Sequence, residues 1–157
     1  MASAAELKGT LETVEEIKSP ADKFWAACKD LSKLLPIICP DVIKSIEDII
    51  GEGKSPGSTR LLQFVEGHPL RNSLERIDSI DDEKMTVTYS VIGGDSMVGL
   101  FTKYQATVQI IPKGNGCVVN WAVEYEKVNE DVHDPYAAVD FISGVLHTLD
   151  EYVLKNN

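Results

Sequence analysis

The sequence predicts an α+β fold in which a curved antiparallel sheet of seven strands wraps around one long C-terminal helix. Three observations predict it. Apolar residues recur with a period of two from Val42 to Tyr125, short polar turns divide that region, and an apolar stripe of helical spacing follows it. Links this short favour an antiparallel meander over parallel crossovers.

A strand and two short helices are predicted before the main sheet region. Leu7 to Ile17 favours a strand, although its alternation is imperfect. Ser19 and Pro20 then fit a helix start, with the serine as N-cap and the proline at the first helical position. Apolar residues from Phe24 to Leu35 continue at helical spacing, and Asp30 in their middle indicates two short helices with a bend between them.

Six further strands are predicted, separated by turns rich in Gly, Pro and Asp. The alternation is clearest from Met85 to Val91, where the apolar side chains share one face of the strand. A sheet with one apolar face must cover that face with another element. The predicted strands are Val42–Ile50, Ser58–Val65, Leu70–Ile80, Met85–Ile92, Lys103–Ile111 and Cys117–Tyr125.

The covering element is predicted to be a helix that follows Asp134 and Pro135, a second cap-plus-proline pair. Its length of about 20 residues corresponds to roughly 30 Å, enough to cross a domain. The apolar stripe of this helix consists of Ala138, Phe141, Ile142, Val145, Leu149, Tyr152 and Val153.

The space between this helix and the sheet has two interpretations. One helix does not easily fill the concave side of a seven-stranded sheet. The inward positions include small residues such as Ala106 and polar-tipped ones such as Tyr89 and Trp121, a mixture typical of a ligand cavity. The alternative is a solid core whose tyrosines reach the surface. The pattern alone leaves both open.

Length and charge narrow the class of protein. The 157 residues suit a single domain, residues 1–157. The formal net charge of −10 repels phosphate, and no basic run overrides it, so no nucleic-acid partner is expected. No stretch approaches the roughly 18 apolar residues of a membrane span.

The cysteines and the N-terminal residues predict a cytoplasmic location. Cys28, Cys39 and Cys117 are odd in number and widely spaced, which favours reduced thiols. Met1 to Thr10 has no apolar core of a secretory signal. With no CxxC pair, neither a metal site nor a cofactor is expected.

Three glycines, Gly51, Gly53 and Gly57, invite comparison with the dinucleotide-binding motif GxGxxG. Three residues separate the second and third glycines, one too many, and a β-rich run follows where the motif needs a helix N-terminus. The segment is therefore predicted to be a tight turn between two strands.

Candidate catalytic groups are few. His68, His133 and His147 lack a neighbouring nucleophile at a convincing spacing and are predicted to be solvated. No lysine falls at an evident cavity position. Arg76 is predicted to face inward, either paired with an acid or anchoring a ligand carboxylate.

Five stretches spread over nearly the whole chain form a family pattern. They are Lys18–Trp25, Gly51–Arg60, Tyr89–Gly94, Trp121–Lys127 and Asp150–Tyr152. With the element order, they make the chain similar to the birch-pollen-allergen superfamily, whose START-like fold is called the helix grip. Within it, the chain resembles the plant major latex protein-like family, next to the pathogenesis-related class ten proteins.

The resemblance implies a plant protein that binds a small hydrophobic ligand without transforming it: a hormone, sterol-like compound, flavonoid or fatty acid, in defence or stress responses. An alternative is a cavity enzyme for isomerisation or cyclisation of a secondary metabolite, with Tyr89 or Tyr104 as general acid. A third is an interaction protein with an incidental cavity. We expect a monomer or a weak homodimer.

Alternate residues of each strand share one face, and the resemblance indicates which face points inward. Together with the apolar stripe of the last helix, these positions predict one continuous cavity and its ligand contacts. The predicted contacts are Phe24, Cys28, Ile43, Phe64, Leu70, Asn72, Leu74, Arg76, Val87, Tyr89, Tyr104, Val119, Trp121, Ala138, Phe141, Ile142 and Val145.

Overall fold

A computed structural model describes residues 7–156, which form a seven-stranded antiparallel sheet and three helices. The predicted fold class is confirmed. The elements in chain order are β1 (Lys8–Ile17), α1 (Ala21–Lys29), α2 (Leu31–Ile38), β2 (Ile43–Ile50), β3 (Thr59–Phe64), β4 (Asn72–Asp81), β5 (Thr86–Gly93), β6 (Phe101–Lys113), β7 (Gly116–Lys127) and α3 (Tyr136–Lys155).

The strand order in the sheet is β1-β7-β6-β5-β4-β3-β2, and every neighbouring pair is antiparallel. From β2 to β7 each strand pairs with its successor in the chain, as the short turns predict. The exception is β1, which joins β7 across more than 90 residues, with Leu11 opposite Val123. The edge strands β1 and β2 pack against α3 and α2 respectively.

The concave face of β7 carries the predicted alternation. Val119, Trp121, Val123 and Tyr125 are buried, while the residues between them are only partly buried or exposed. Side chains alternate across a strand, so every second residue of β7 points into the protein.

Ser19 is not the N-cap of α1, which corrects the prediction. The helix begins at Ala21, with Pro20 at the cap position and no side-chain cap hydrogen bond. Ser19 is fully buried and donates its N–H and its hydroxyl to Asp150 of α3, at 2.9 and 2.5 Å. The backbone N–H of Lys18 donates to the same carboxylate at 2.9 Å. Ser19 therefore ties the end of β1 to α3.

The two predicted interruptions in the chain path are present. Asp30 separates α1 from α2, so the two short helices are confirmed. Gly51, Gly53 and Gly57 adopt positive φ angles of 71°, 77° and 90°, which L side chains rarely adopt. They lie in the turn between β2 and β3, as predicted.

The long helix α3 is buried unevenly along its length. Its buried residues all lie between Val145 and Val153, whereas Tyr136 to Gly144 contains none. The C-terminal half of α3 packs on a solid core that α1, β1 and β7 also form. This core contains Ile17, Ala21, Phe24, Trp25, Ile110, Cys117, Val119, Leu146, Leu149 and Val153.

Candidate ligand-binding cavity

A hollow in two parts lies between α3 and the concave face of the sheet. The inner part, about 110 Å³, extends toward α1 and α2, and the outer part, about 390 Å³, extends toward the start of α3. Both are lined mainly by apolar side chains. The two parts share five wall residues, Leu62, Glu75, Tyr89, Phe141 and Ile142.

Each part has its own remaining wall. The inner part is lined by Trp25, Cys28, Lys29, Leu31, Leu35, Ile46, Gly53, Arg60, Ile77, Ile80, Val87, Val108, Trp121, Val145, Leu146 and Leu149. The outer part is lined by Phe64, His68, Leu70, Ser73, Val91, Ser96, Leu100, Phe101, Tyr104, Val132, His133, Pro135, Ala137 and Ala138.

The structure brings together most of the predicted contact residues around this hollow. Their contact with a ligand stays a prediction. The predicted residues that line one or both parts are Cys28, Phe64, Leu70, Val87, Tyr89, Tyr104, Trp121, Ala138, Phe141, Ile142 and Val145.

Three predicted wall residues lie in solid core instead. Phe24 and Val119 have no exposed surface and pack in the core beneath the C-terminal half of α3. Ile43, 1% exposed, packs with Leu35 and Leu62. The prediction extended the hollow along the whole helix, but α1 fills the end where Phe24 lies.

Three more predictions fail because β4 has the opposite parity. Asn72, Leu74 and Arg76 do not line the hollow, and Ser73, Glu75 and Ile77 do. Leu70 does line the outer part, but it lies in the turn before β4, so its side of the chain does not continue into the strand.

Arg76 and Asn72 have other partners. The Nε of Arg76 donates to the Oδ1 of Asp78 at 2.8 Å, on the outer face of the sheet. The Oδ1 of Asn72 accepts the backbone N–H of Asp95 at 3.1 Å, in the turn after β5. Of the two readings of Arg76, the structure shows pairing with an acid.

An ion pair that the sequence analysis missed lies in the cavity wall. The Nε and Nη2 of Arg60 both donate to the Oε1 of Glu75, at 3.1 and 3.0 Å, and Nη1 donates to Ser32 at 3.0 Å. Each side chain of the pair is only 12% exposed. No residue within 7–156 donates a hydrogen bond to the other carboxylate oxygen of Glu75, Oε2.

The pairing of strands could have revealed this ion pair. Arg60 on β3 lies directly opposite Glu75 on β4 in the hairpin register. Centring the turn on Gly67 and His68, instead of on hydrophobic parity, gives this pairing of opposite charges.

Two tyrosines at the hollow differ in their hydrogen bonding. Trp121 donates its Nε1–H to the hydroxyl of Tyr89 at 3.0 Å. The hydroxyl of Tyr104 makes no hydrogen bond to any residue that the structure describes. Burial raises the pKa of both phenols, so both keep their protons at neutral pH.

Two residues of the inner wall, Cys28 and Lys29, carry reactive groups that their surroundings keep from acting on a ligand. Burial raises the pKa of the Cys28 thiol to about 12, so it is neutral and a poor nucleophile. Lys29, absent from the prediction, contributes its stem to the wall, while its Nζ lies 2.7 Å from the Oδ1 of Asp82. Its charge is held away from the hollow.

The histidines are not all solvated as predicted. His68 stacks on Phe64 with 4.4 Å between ring centroids, and its Nδ1 accepts the backbone N–H of Leu70. His133 is exposed, as predicted, and both it and His68 line the outer part of the hollow. His147 is exposed, and its Nε2 lies 2.8 Å from the Oε1 of Glu15.

The approach to α3 is fixed at the rim of the outer part. The hydroxyl of Tyr125 donates to the Oδ1 of Asp134 at 2.6 Å, and the Nζ of Lys127 lies 3.2 Å from the same oxygen. The Tyr125 hydrogen bond lowers the pKa of Asp134. Any side chain at residue 9 would collide with the Tyr125 ring, so Gly9 is required there.

Residues 6–156 match the family model described as the Pathogenesis-related protein Bet v 1 family. The chain belongs to this family, which confirms the resemblance seen in the sequence.

Among curated proteins, the chain is 39% identical to MLP-like protein 423 of Arabidopsis thaliana over 150 residues, 95% of this chain and 96% of that one. It is 33% identical to Major latex protein 146 of Papaver somniferum, covering 96% of this chain and 94% of that one.

Solved structures agree. The ginseng major latex-like protein 151 from Panax ginseng superposes with a TM-score of 0.85 at 30% identity, over 94% of this chain and 99% of that one. Norcoclaurine synthase from Thalictrum flavum superposes with a TM-score of 0.82 over 94% of this chain and 87% of that one, but at 23% identity this likeness concerns the fold alone.

Two features are absent from the described residues. No helix within residues 7–156 has the length and apolar character needed to cross a membrane. No group of three or more His, Cys, Asp or Glu side chains in the same residues is arranged to hold a metal ion.

Proposed function

We propose that this protein binds a small hydrophobic or amphipathic molecule in the hollow under α3 and releases it chemically unchanged. The observation that carries this proposal is the hollow itself, with a mainly apolar wall and a few polar groups where its two parts meet. The outer part alone, about 390 Å³, falls in the size range of small-molecule sites.

The polar groups at the hollow favour a ligand that carries a hydroxyl, carbonyl or N–H group. The Oε2 of Glu75 is free to accept a hydrogen bond, and the hydroxyl of Tyr104 is free to donate one. The hydroxyl of Tyr89 accepts from Trp121 and keeps its own proton for donation. Hydroxylated plant hormones, sterol-like compounds and flavonoids offer such groups, as do the carboxyl groups of fatty acids.

The alternative of a cavity enzyme rests on a weaker observation. A carboxylate and two phenols around one hollow could move protons. The raised pKa values of Tyr89 and Tyr104, however, make each phenol a weaker acid than tyrosine in water, which favours hydrogen bonding over proton transfer. If the bound compound is recovered unaltered after long incubation, measured by mass spectrometry, carriage is favoured over catalysis.

The setting of this function is part of the proposal. The free thiols Cys28, Cys39 and Cys117 suit the reducing cytosol. The similarity to major latex proteins and to Pathogenesis-related protein 2 of Petroselinum crispum, at 28% identity, supports a role in plant defence or stress responses. We propose that the chain acts as a monomer, since the hollow needs residues of one chain only.

The test is a titration with N-phenyl-naphthylamine, a neutral apolar fluorophore. Ala138→Trp should fill the outer part and weaken binding about tenfold or more, since the indole occupies the space that the probe needs. Asp140→Trp is the matched control, because Asp140 lies exposed on the same helix outside both walls.

Salt provides a second readout in the same titration. If burial of apolar surface dominates, at about 25 cal/mol per Å², the affinity should change little between low and moderate salt. Equal binding by both tryptophan variants, or no binding by the natural chain, would remove the proposal.

A further inference from the structure

Two identical Lys-Ser-Pro triplets occur in the chain, Lys18–Pro20 and Lys54–Pro56. Their serines are in opposite environments. Ser19 is fully buried, and Asp150 accepts both its N–H and its hydroxyl. Ser55 is exposed in the turn between β2 and β3. Only the second serine can be reached by an enzyme while the protein is folded.

The backbone at Ser55 suits recognition by another protein. Residues 51–58 belong to no helix or strand. Two backbone hydrogen bonds join the end of this segment to β4: the N–H of Gly57 donates to the carbonyl of Ile77, and the N–H of Ile77 donates to the carbonyl of Ser58, each at 2.8 Å. Ser55 begins a β-turn in which Pro56 and Gly57 are central, and the N–H of Ser58 donates to the carbonyl of Ser55 at 3.1 Å. A residue before proline favours an extended backbone. The Oγ of Ser55 lies 3.3 Å from the Oγ of Ser58, a weak contact that a kinase would have to exchange.

We propose that Ser55 is a phosphorylation site for a protein kinase that requires proline after the serine, and that the phosphate loosens this turn from the inner part of the hollow. In the transfer, the Ser55 hydroxyl gives its proton to a carboxylate base of the kinase, and its oxygen forms a bond to the γ-phosphorus of ATP. The bond from that phosphorus to the β–γ bridging oxygen breaks, and ADP leaves.

The turn that carries Ser55 closes one side of the inner part. Gly53 is a wall residue there, and Lys54 next to it places its Nζ 2.8 Å from the Oδ1 of Asp30, at the junction of α1 and α2. The hydrogen bond from Lys54 lowers the pKa of Asp30, and the same bond raises the pKa of Lys54. This ion pair joins the turn to the two short helices.

The charges around the Lys54–Asp30 ion pair determine how a phosphate on Ser55 would affect the turn. Lys54 is the only cation between Gly51 and Ser58, and Glu52 lies in the same turn. On the other side of the ion pair, the charges of Lys29 and Lys33 also act on Asp30. Asp48 is close as well, since its Oδ1 lies 3.4 Å from where a side chain on Gly53 would begin. A phosphate adds about −1.5 to −2 charges at neutral pH. A phosphate on Ser55 would compete with Asp30 for the charge of Lys54, and it would be repelled by the carboxylates of Glu52 and Asp48.

The first arm of the test measures phosphate transfer. The folded protein, and synthetic peptides covering residues 15–23 and 51–59, are treated with a proline-directed kinase and ATP, and the modified serines are mapped by mass spectrometry. Both peptides should be modified, whereas the folded protein should carry phosphate on Ser55 and not on Ser19. An unmodified Ser55 in the folded protein, or equal modification of Ser19, overturns the proposal.

The second arm measures the loosening. Phosphorylation should speed amide hydrogen exchange in residues 51–58 and speed the release of N-phenyl-naphthylamine about two- to fivefold, the change expected for one exposed ion pair. Lys54→Met should reproduce this effect without phosphate. Ser55→Ala, treated with the kinase in the same way, should behave as the untreated protein.

The release measurement rests on the proposed function, whereas amide exchange does not. If the fluorophore fails to bind, the proposed function fails and the exchange of residues 51–58 still decides the effect of the phosphate. Exchange and release rates that are unchanged by a confirmed phosphate on Ser55 overturn the proposal.

Discussion

The two tyrosines of the hollow differ in one hydrogen bond. Because of this difference, we expect Tyr89 to contribute to the stability of the fold and Tyr104 to contribute to ligand binding. Tyr89 accepts the Nε1–H of Trp121, a side chain that is only 1% exposed. Tyr104 has no such internal partner in the described part of the chain. A buried donor left without an acceptor destabilises the fold. Removing a hydroxyl that has no partner breaks no hydrogen bond, so it leaves the stability nearly unchanged.

Tyr89→Phe should therefore lower the free energy of unfolding by about 1–3 kcal/mol, because it leaves the indole N–H of Trp121 unpaired. Tyr104→Phe should leave stability nearly unchanged but weaken binding of a hydroxylated ligand about tenfold. Urea unfolding and a ligand titration measure the two effects. Equal destabilisation by both substitutions would contradict the assignment.

Asp150 is a second residue whose environment sets a large expected effect. It is 6% exposed and accepts hydrogen bonds from Lys18 and Ser19, which join the end of β1 to α3. Asp150→Ala should lower the free energy of unfolding by about 2–5 kcal/mol, since it leaves buried donors unpaired.

The matched control is Asp140→Ala, on an exposed position of the same helix, which should change stability by no more than about 0.5 kcal/mol. Urea midpoints of the two variants compare them directly. If Asp150→Ala lowers the free energy of unfolding no more than Asp140→Ala does, the hydrogen bonds from Lys18 and Ser19 to Asp150 do not stabilise the fold.

At the scale of elements, α3 has a firmly packed half and a loosely packed half. Its buried residues begin at Val145, and the preceding turns lie over the outer part of the hollow. Segments with few buried apolar contacts open most readily. We expect the region from Pro135 to Val145 to be the route into the outer part, and a bound ligand to slow amide exchange there most.

Gly144→Ala tests this route. A side chain at residue 144 meets no atom within 4 Å, so alanine should stabilise the helix by about 1 kcal/mol. The variant should slow amide exchange across Pro135 to Val145 and slow ligand release. Faster release, or protection by ligand confined to residues 51–57, would place the route elsewhere.

The strands show which part of the fold could be predicted. Turn residues bounded each strand to within about two residues, because glycine, proline and aspartate specify turns locally. The face of β4 could not be predicted from its own hydrophobic pattern. Ser73 and Glu75 point inward while Leu74 does not, since a binding cavity needs polar groups that a solid core excludes.

Register limits how far one parity can be extended along β4. An irregularity lies between Ile77 and Ser79 in the pairing with β5, and the wall positions change across it from Ser73, Glu75 and Ile77 to Ile80. An extra residue reverses the parity that follows it, and no local signal marks where this happens. The solid packing of Phe24 was equally hidden, because it depends on how closely α1 approaches β7.

At the scale of the whole molecule, acid should destabilise the protein. Hydrogen bonds from neighbouring groups lower the pKa of several carboxylates in the folded state, so their stabilisation is present above the ordinary values of 4.5 for Glu and 3.8 for Asp and is lost as pH falls further. They include Glu15, Asp30, Asp82, Asp95 and Asp134.

The urea midpoint should accordingly fall as the pH is lowered from about 4.5 toward 3. Glu15→Gln should flatten this dependence, because the hydrogen bond from Thr13 and those from His147 and Ser143 hold the Glu15 carboxylate in its charged form. A midpoint that stays constant over that range, or an unchanged slope in the variant, would contradict the expectation.

The pairing of β1 with β7 has a consequence for the growing chain during translation. Ile17 meets Cys117, so β1 leaves the ribosome about 100 residues before its partner. At about 5–20 residues per second, the strand waits roughly 5 to 20 seconds. An unpaired strand attracts other strands, and charges on it oppose that. Glu12, Glu15 and Glu16 are therefore expected to disfavour pairing of β1 with neighbouring nascent chains until β7 is made.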